Sequence, residues 1–246
     1  MTNSYNLFPT KPHKLLIIHG LNNNISCFDP ISSYFQNQGF ETIFITLPGH
    51  GENRNEASNF KAAFAAFDKK LREGASSPYS VIAFSHGALY LQLWLEKNPH
   101  LKPHCQVLLA PALYVQRYEK LSRLFNFLPG FFPIKSFSPK AFRKYQTLSI
   151  SEYRILFEGI KTFKKHKAGF NIPTLLLVDP MDELIDVTKL KEELTNCGEL
   201  EIKEWNREYL KKGIGKHHIL FHPDYFEKDD WEKFTGEIRE FLTLHL

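Results

Sequence analysis

The sequence predicts an α/β fold, a mostly parallel sheet of about six strands with helices on both faces, and three observations predict it. Short apolar runs such as Leu15-Leu16-Ile17-Ile18 and Thr174-Leu175-Leu176-Leu177-Val178 alternate with segments of helical spacing. Unbroken apolar runs of this kind suit strands buried on both faces, as in a parallel sheet. The polar stretches that could carry chemistry follow the ends of these runs, where a parallel sheet gathers its functional loops. With 246 residues, 43% hydrophobic and 24% charged, the chain is sized for one large domain with a substantial core, spanning 1–246.

The elements follow in order. A polar leader up to Lys14 contains Pro9 and Pro12 and has no apolar core of the kind a signal peptide needs. Lys14 to Ile18 reads as the first strand and ends in His19-Gly20-Leu21, then Asn22-Asn23-Asn24. Cys27 to Gln38 has helical spacing through Phe28, Ile31, Tyr34 and Phe35, with Gly39 as its stop. Glu41 to Thr46 is the next strand and runs into Leu47-Pro48-Gly49-His50-Gly51. Phe60 to Arg72 is helical, Tyr79 to Phe84 a strand, Leu89 to Lys97 a helix and Cys105 to Leu109 a strand. Residues 112–170 then alternate helical stretches with Pro/Gly breaks and show no strand pattern, which predicts a mainly helical cap inserted in the domain. The strand rhythm resumes at Thr174 to Val178, followed by a helix from Lys189 to Thr195, a last strand from Glu199 to Trp205 and an amphipathic helix from Asp230 to Leu244.

The chemistry centres on Ser85. It sits between the apolar run ending at Phe84 and a helical pattern opened by His86-Gly87-Ala88, as A-x-S-x-G. A serine at such a turn stands clear of the sheet, and the backbone N–H groups of the following helix point at what binds there. A serine hydroxyl is a weak nucleophile and needs a base within hydrogen-bond reach, oriented by an acid. Acids follow the strand ending at Val178, where Asp179, Asp182 and Glu183 compete, and adjacent His217 and His218 follow the last strand.

With His19-Gly20, Pro48-Gly49-His50-Gly51, Ser85, the stretch 112–170, Asp182-Glu183-Leu184-Ile185 and His218-Ile219-Leu220 in this order, the chain resembles the α/β-hydrolase superfamily. It looks most like the bacterial carboxylesterase and monoacylglycerol-lipase-like branch. The departures are Ala83 in place of the first elbow glycine and the absence of two leading strands that some members have. The resemblance implies an α/β-hydrolase fold and a serine carboxylesterase or lipase-type activity through an acyl-enzyme on Ser85. It implies Asp182 as the acid, His218 as the base, and the backbone N–H groups of Leu21 and His86 as the oxyanion hole. On that reading Asp179 shapes its turn, His217 packs or faces solvent, His50 braces its loop and His222 is structural. Thioesterases, C–C hydrolases and weakly catalytic binding proteins share the fold and remain the alternatives.

Composition narrows the partners. A net charge of +4 is too mild to imply nucleic acid, and the expected partner is a small-molecule ester. Cys27, Cys105 and Cys197 are odd in number and far apart, which fits a reducing, cytoplasmic compartment rather than a disulfide framework or metal cluster. No metal or organic cofactor is implied, and no apolar run approaches the roughly 20 residues of a membrane span. Phe125, Phe131 and Phe132, with Phe127 and Phe137, are candidates to line an apolar pocket, against the plainer reading that they pack the cap on the core. Lys161, Lys164, Lys165 and Lys167 read as a solvated helix face, with attraction to an anionic surface as the alternative.

Overall fold

Each apolar run becomes a strand of a single parallel sheet in the computed structural model, which describes residues 12–51, 58–75, 78–166, 170–211, 213 and 215–246. The leader up to Lys11, and Lys167 of the basic run, lie outside the described residues. Numbered in chain order, the sheet strands are β1 (His13–Ile18), β2 (Phe40–Ile45), β3 (Tyr79–Phe84), β4 (Gln106–Leu109), β7 (Thr174–Val178) and β8 (Leu200–Glu204). They lie in the order β2-β1-β3-β4-β7-β8. The four central strands β1, β3, β4 and β7 are almost wholly buried, which is why their sequences show no polar alternation.

The connecting helices are α1 (Asp29–Asn37), α2 (Phe60–Gly74), α3 (His86–Lys97), α6 (Val187–Leu194) and α7 (Lys228–Leu244). Helix α1 packs with α7, and α2 with α3. Helix α1 starts later than its apolar spacing suggests, because Ile25–Phe28 forms a 3₁₀ turn and Pro30 falls in the first turn of the helix proper. Gly39 ends it at φ 88°, a left-handed position that a side chain rarely adopts. Helix α3 starts three residues earlier than its leucine pattern, directly after Ser85, so the serine itself is the helix cap.

Between β4 and β7 the chain leaves the sheet. This segment holds α4 (Tyr118–Phe127), α5 (Ile150–His166) and two strands absent from the sequence reading, β5 (Pro133–Lys135) and β6 (Thr147–Ser149), paired antiparallel. At three residues each they are too short for alternation to be legible. Helix α5 packs on α2, α3 and α4, carrying the segment over the sheet's carboxyl edge.

The sheet reverses direction of progression between β1 and β3: β2 lies on one side of β1, and the later strands lie beyond β3. The loops after β1 and β3 diverge at such a point and leave a crevice at the carboxyl ends. Gly87 lets the crevice close. A Cβ there would lie 2.3 Å from the His19 carbonyl oxygen and 2.7 Å from Ile18 Cγ2. Gly87→Ala should therefore cost at least about 1–3 kcal/mol, the usual range for overpacking, read as a lowered midpoint in urea unfolding.

Candidate active site

Ser85 occupies a strained backbone conformation, φ 50° and ψ −115°. Residues held there persist only when neighbours over-determine them. Here β4 and its following loop do so: Ser85 N–H donates to the Leu109 carbonyl at 2.9 Å, and the Ser85 carbonyl accepts from Ala112 N–H at 3.0 Å. The side chain is thereby aimed off the sheet toward the loops after β7 and β8.

Those loops supply a hydrogen-bonded chain. Ser85 Oγ lies 2.9 Å from His218 Nε2, and His218 Nδ1–H donates to Asp182 Oδ2 at 2.8 Å. The other Asp182 oxygen accepts the backbone N–H groups of Leu184 at 2.7 Å and Ile185 at 2.9 Å. The carboxylate is thus fixed by its own loop and holds the imidazole with Nε2 free to accept the serine proton. All three residues are buried, and the Phe84 ring packs on His218 with centroids 4.8 Å apart.

Asp179 and Glu183, the competing acids, are engaged elsewhere. Asp179 Oδ1 accepts Met181 N–H at 2.8 Å, a turn contact, but its Oδ2 receives Arg207 Nε at 2.9 Å and His217 Nδ1 at 2.9 Å. Glu183 accepts the His217 backbone N–H at 3.1 Å. His217 therefore does not face solvent. It is fully buried beside Asp179, and its Nε2 has no hydrogen-bond partner among the described residues.

Arg207 was not legible in the sequence, where it follows the strand expected to end at Trp205. It is completely buried, and its guanidinium donates to the carbonyls of His217, Ile219 (2.6 Å) and Tyr225 (3.3 Å). The first two flank His218, so Arg207 clamps the loop that presents the imidazole to Ser85.

The loop after β1 is braced by two histidines. His19 Nδ1–H donates to the Gly20 carbonyl at 2.7 Å and its Nε2 accepts Leu47 N–H at 2.9 Å. His50 Nε2 accepts Asn22 N–H at 2.7 Å, and its Nδ1 contacts the Pro48 carbonyl at 3.0 Å. Asn22, left-handed at φ 58°, also exchanges hydrogen bonds of 2.8 and 2.9 Å between its side chain and the Tyr145 backbone. The loop after β1, the loop after β2 and the segment above the sheet are thus joined at one residue. The N–H groups of Leu21 and His86 have no acceptor among the described residues, and both residues line the cavity at Ser85.

That cavity has a volume of about 590 Å³. Its apolar wall comes from the segment between β4 and β7: Leu121, Phe125, Phe137, Leu148, Tyr153, Leu156 and Phe157. Gln116, Arg117 and Glu183 add polar groups. Phe125 and Phe137 are lining residues, but Phe127, Phe131 and Phe132 are not, which corrects the expectation for Phe131 and Phe132. Helix α4 turns Leu121 and Phe125 inward and leaves Phe127 outward. Beyond it, backbone bonds from Ser151 N–H to the Gly130 carbonyl (2.9 Å) and from Ile150 N–H to the Phe132 carbonyl (3.0 Å) dock the turn on α5, with the two rings outside. Among the described residues no cluster of His, Cys, Asp or Glu could hold a metal ion, and no helix is long and apolar enough to cross a membrane. Cys27, Cys105 and Cys197 are free thiols.

A parallel sheet in this strand order, with a serine on the strained turn after β3, defines the class: an α/β hydrolase. The family profile described as Serine aminopeptidase, S33 (Hydrolase_4) matches residues 10–147, more than half of the chain, and the chain belongs to that family. Among solved structures, the monoacylglycerol lipase of Paleococcus ferrophilus is similar at a TM-score of 0.71 and 19% identity over 96% of each chain. Est1E of Butyrivibrio proteoclasticus, with ferulic acid bound, is similar at 0.68 and 13% over 96% of this chain and 90% of that one. MenH of S. aureus follows at 0.60 and 16% over 96% of each. At these identities the likeness is one of fold. No curated relative matches the sequence.

Two outcomes follow from this geometry. Arg207→Ala would leave Asp179 buried without its cation, and breaking a buried pair from one side costs about 3–5 kcal/mol. Urea denaturation should show that loss, with far less from a change at exposed Lys211. The second concerns pH. Burial, with His50 close by, lowers the pKa of His19 and of His86 from 6.5 to about 3. Both bind protons more weakly folded than unfolded, so their contribution to stability is intact above about pH 6.5 and is lost as pH falls toward 3. The thermal midpoint should fall across that window. His86→Phe, which removes one of the two titrating imidazoles, should make the fall shallower.

Proposed function

We propose that this α/β hydrolase cleaves carboxylic esters through an acyl-enzyme on Ser85. The observation that carries the reading is the hydrogen-bonded chain Asp182–His218–Ser85, 2.8 and 2.9 Å, lining an apolar cavity. In this reading His218 takes the serine proton as Oγ attacks the ester carbonyl. Asp182 stabilises the imidazolium, and His218 then protonates the leaving alcohol. The N–H groups of Leu21 and His86 receive the developing oxyanion, fixed dipoles that need no reorganisation during the step. Water activated by the same histidine releases the acid. The segment 112–170 acts as the cap, and its apolar wall selects a lipophilic acyl or alcohol group.

The neighbours support an ester substrate in the coarse sense: one is a monoacylglycerol lipase, and another was solved with ferulic acid. The family description names an aminopeptidase, so an amide substrate belongs in the same test.

The test is a panel of p-nitrophenyl esters from acetyl to palmitoyl beside aminoacyl p-nitroanilides. Esters should turn over, and anilides should lag far behind. Ser85→Ala should lower ester turnover on the order of 10⁴-fold with an unchanged circular dichroism spectrum; activity within about tenfold of wild type would overturn the assignment. Asp182→Asn and His218→Ala should each cripple kcat. For specificity, each buried methylene is worth about 0.8 kcal/mol, roughly fourfold per carbon. Phe125→Ala and Phe137→Ala should shift the chain-length optimum, and Phe132→Ala should not. A flat dependence of log kcat/KM on acyl length would remove the lipophilic-substrate reading.

A further inference from the structure

Phenylalanines are seldom left in water, and here they are held there. Phe127 is 88% and Phe131 84% exposed, and Leu124 and Phe132 are each 49% exposed. All four fall within nine residues. Leu124 and Phe127 lie one turn apart on the outer face of α4. Their exposure is built rather than loose. The Arg154 guanidinium closes the end of α4 by donating to the carbonyls of Phe125 (2.8 Å), Asn126 (3.2 Å) and Leu128 (2.6 Å). Ser151 Oγ adds a bond to the Gly130 carbonyl at 3.1 Å.

The segment that carries the patch is also one-sided in charge. Residues 112–170 hold 12 of the 31 Lys and Arg but only 3 of the 27 Asp and Glu, a net +9 against −5 for the rest of the chain. Lys120, Arg123 and Lys135, beside the patch, are exposed. Apolar rings within a basic field match one surface chemistry, an anionic headgroup layer over an acyl interior. A second copy would set +9 against +9 and is disfavoured by its own charge.

We propose that Leu124, Phe127, Phe131 and Phe132, with Lys120, Arg123 and Lys135 around them, form a docking surface for an anionic lipid bilayer. The rings enter the acyl boundary and the basic side chains meet the headgroups. The protein rests on the bilayer without crossing it. The inner face of the same helix, through Leu121 and Phe125, walls the cavity at Ser85. A single helix diameter, about 10–12 Å, therefore separates the lipid surface from the cavity.

The experiment is co-sedimentation of the full chain with vesicles of phosphatidylcholine alone or mixed with phosphatidylglycerol. Binding to the anionic vesicles should exceed binding to the neutral ones by at least about tenfold, at roughly fivefold per basic residue engaged. It should weaken in about 1 M NaCl, where the Debye length is about 3 Å. Phe127→Ser with Phe131→Ser, both outside the cavity, should lower it by about tenfold or more with an unchanged urea midpoint. Lys120→Glu with Arg123→Glu should abolish the anionic preference, an independent arm should the first variant fold poorly. Wild-type protein that stays in the supernatant, or charge-reversed protein that keeps its preference for anionic vesicles, overturns the proposal. So does a lipid-free dimer, seen by sedimentation velocity, that the double serine variant dissociates. That last result would assign the patch to a second copy. Vesicle binding is read without turnover, so this proposal and the ester-hydrolase reading fail separately.

Discussion

The close approach of the end of β1 to the start of α3 is the constraint on which the site depends. Gly87 rests against the His19 carbonyl, with no room for a side chain between them. This contact brings Leu21 and His86 to one cavity and leaves Ser85 at the corner of the turn. The strained serine backbone is then secured from the other side by Leu109 and Ala112. Strain of this kind needs rigid neighbours, and four nearly fully buried parallel strands provide them.

A second level of order lies in buried polar groups that never reach the reacting atoms. His19, His50 and Asn22 tie three loops together: each imidazole Nε2 accepts a backbone N–H, and the Asn22 side chain accepts that of Tyr145. Protonation of His19 would turn its Nε2 acceptor into a donor facing the Leu47 N–H, and burial already lowers its pKa. Asp179 and Arg207 do the corresponding work beneath His218. The ion pair is desolvated and a weak source of stability on balance, yet it gives the loop after β8 a single arrangement. Two Asp–His pairs thus sit side by side, one at the serine and one at the arginine.

The segment between β4 and β7 joins two environments. One face of α4 supplies apolar walls to the cavity, and the other holds aromatic rings in water within a field of lysines and arginines. Its attachment at Asn22 and Tyr145 makes the cavity wall and the loop after β1 parts of one bonded unit.

The strands were legible because burial on both faces leaves unbroken apolar runs, and Thr174 to Val178 emerged with the boundaries its sequence shows. Ser85 was legible because an elbow imposes small residues at fixed offsets. The choice of Asp182 and His218 over Asp179 and His217 came by resemblance, since adjacent histidines and nearby aspartates carry no local mark of which way they point. The tertiary structure alone decided what Arg207 does, because a buried arginine differs from a surface one only by partners distant in sequence. It also decided which phenylalanines turn inward. Helical phase separates Phe125 from Phe127, but Phe131 and Phe132 sit in a turn without periodicity, and only its docking on α5 sets their direction. The two three-residue strands stayed hidden for a related reason: their pairing partners, not their composition, make them strands.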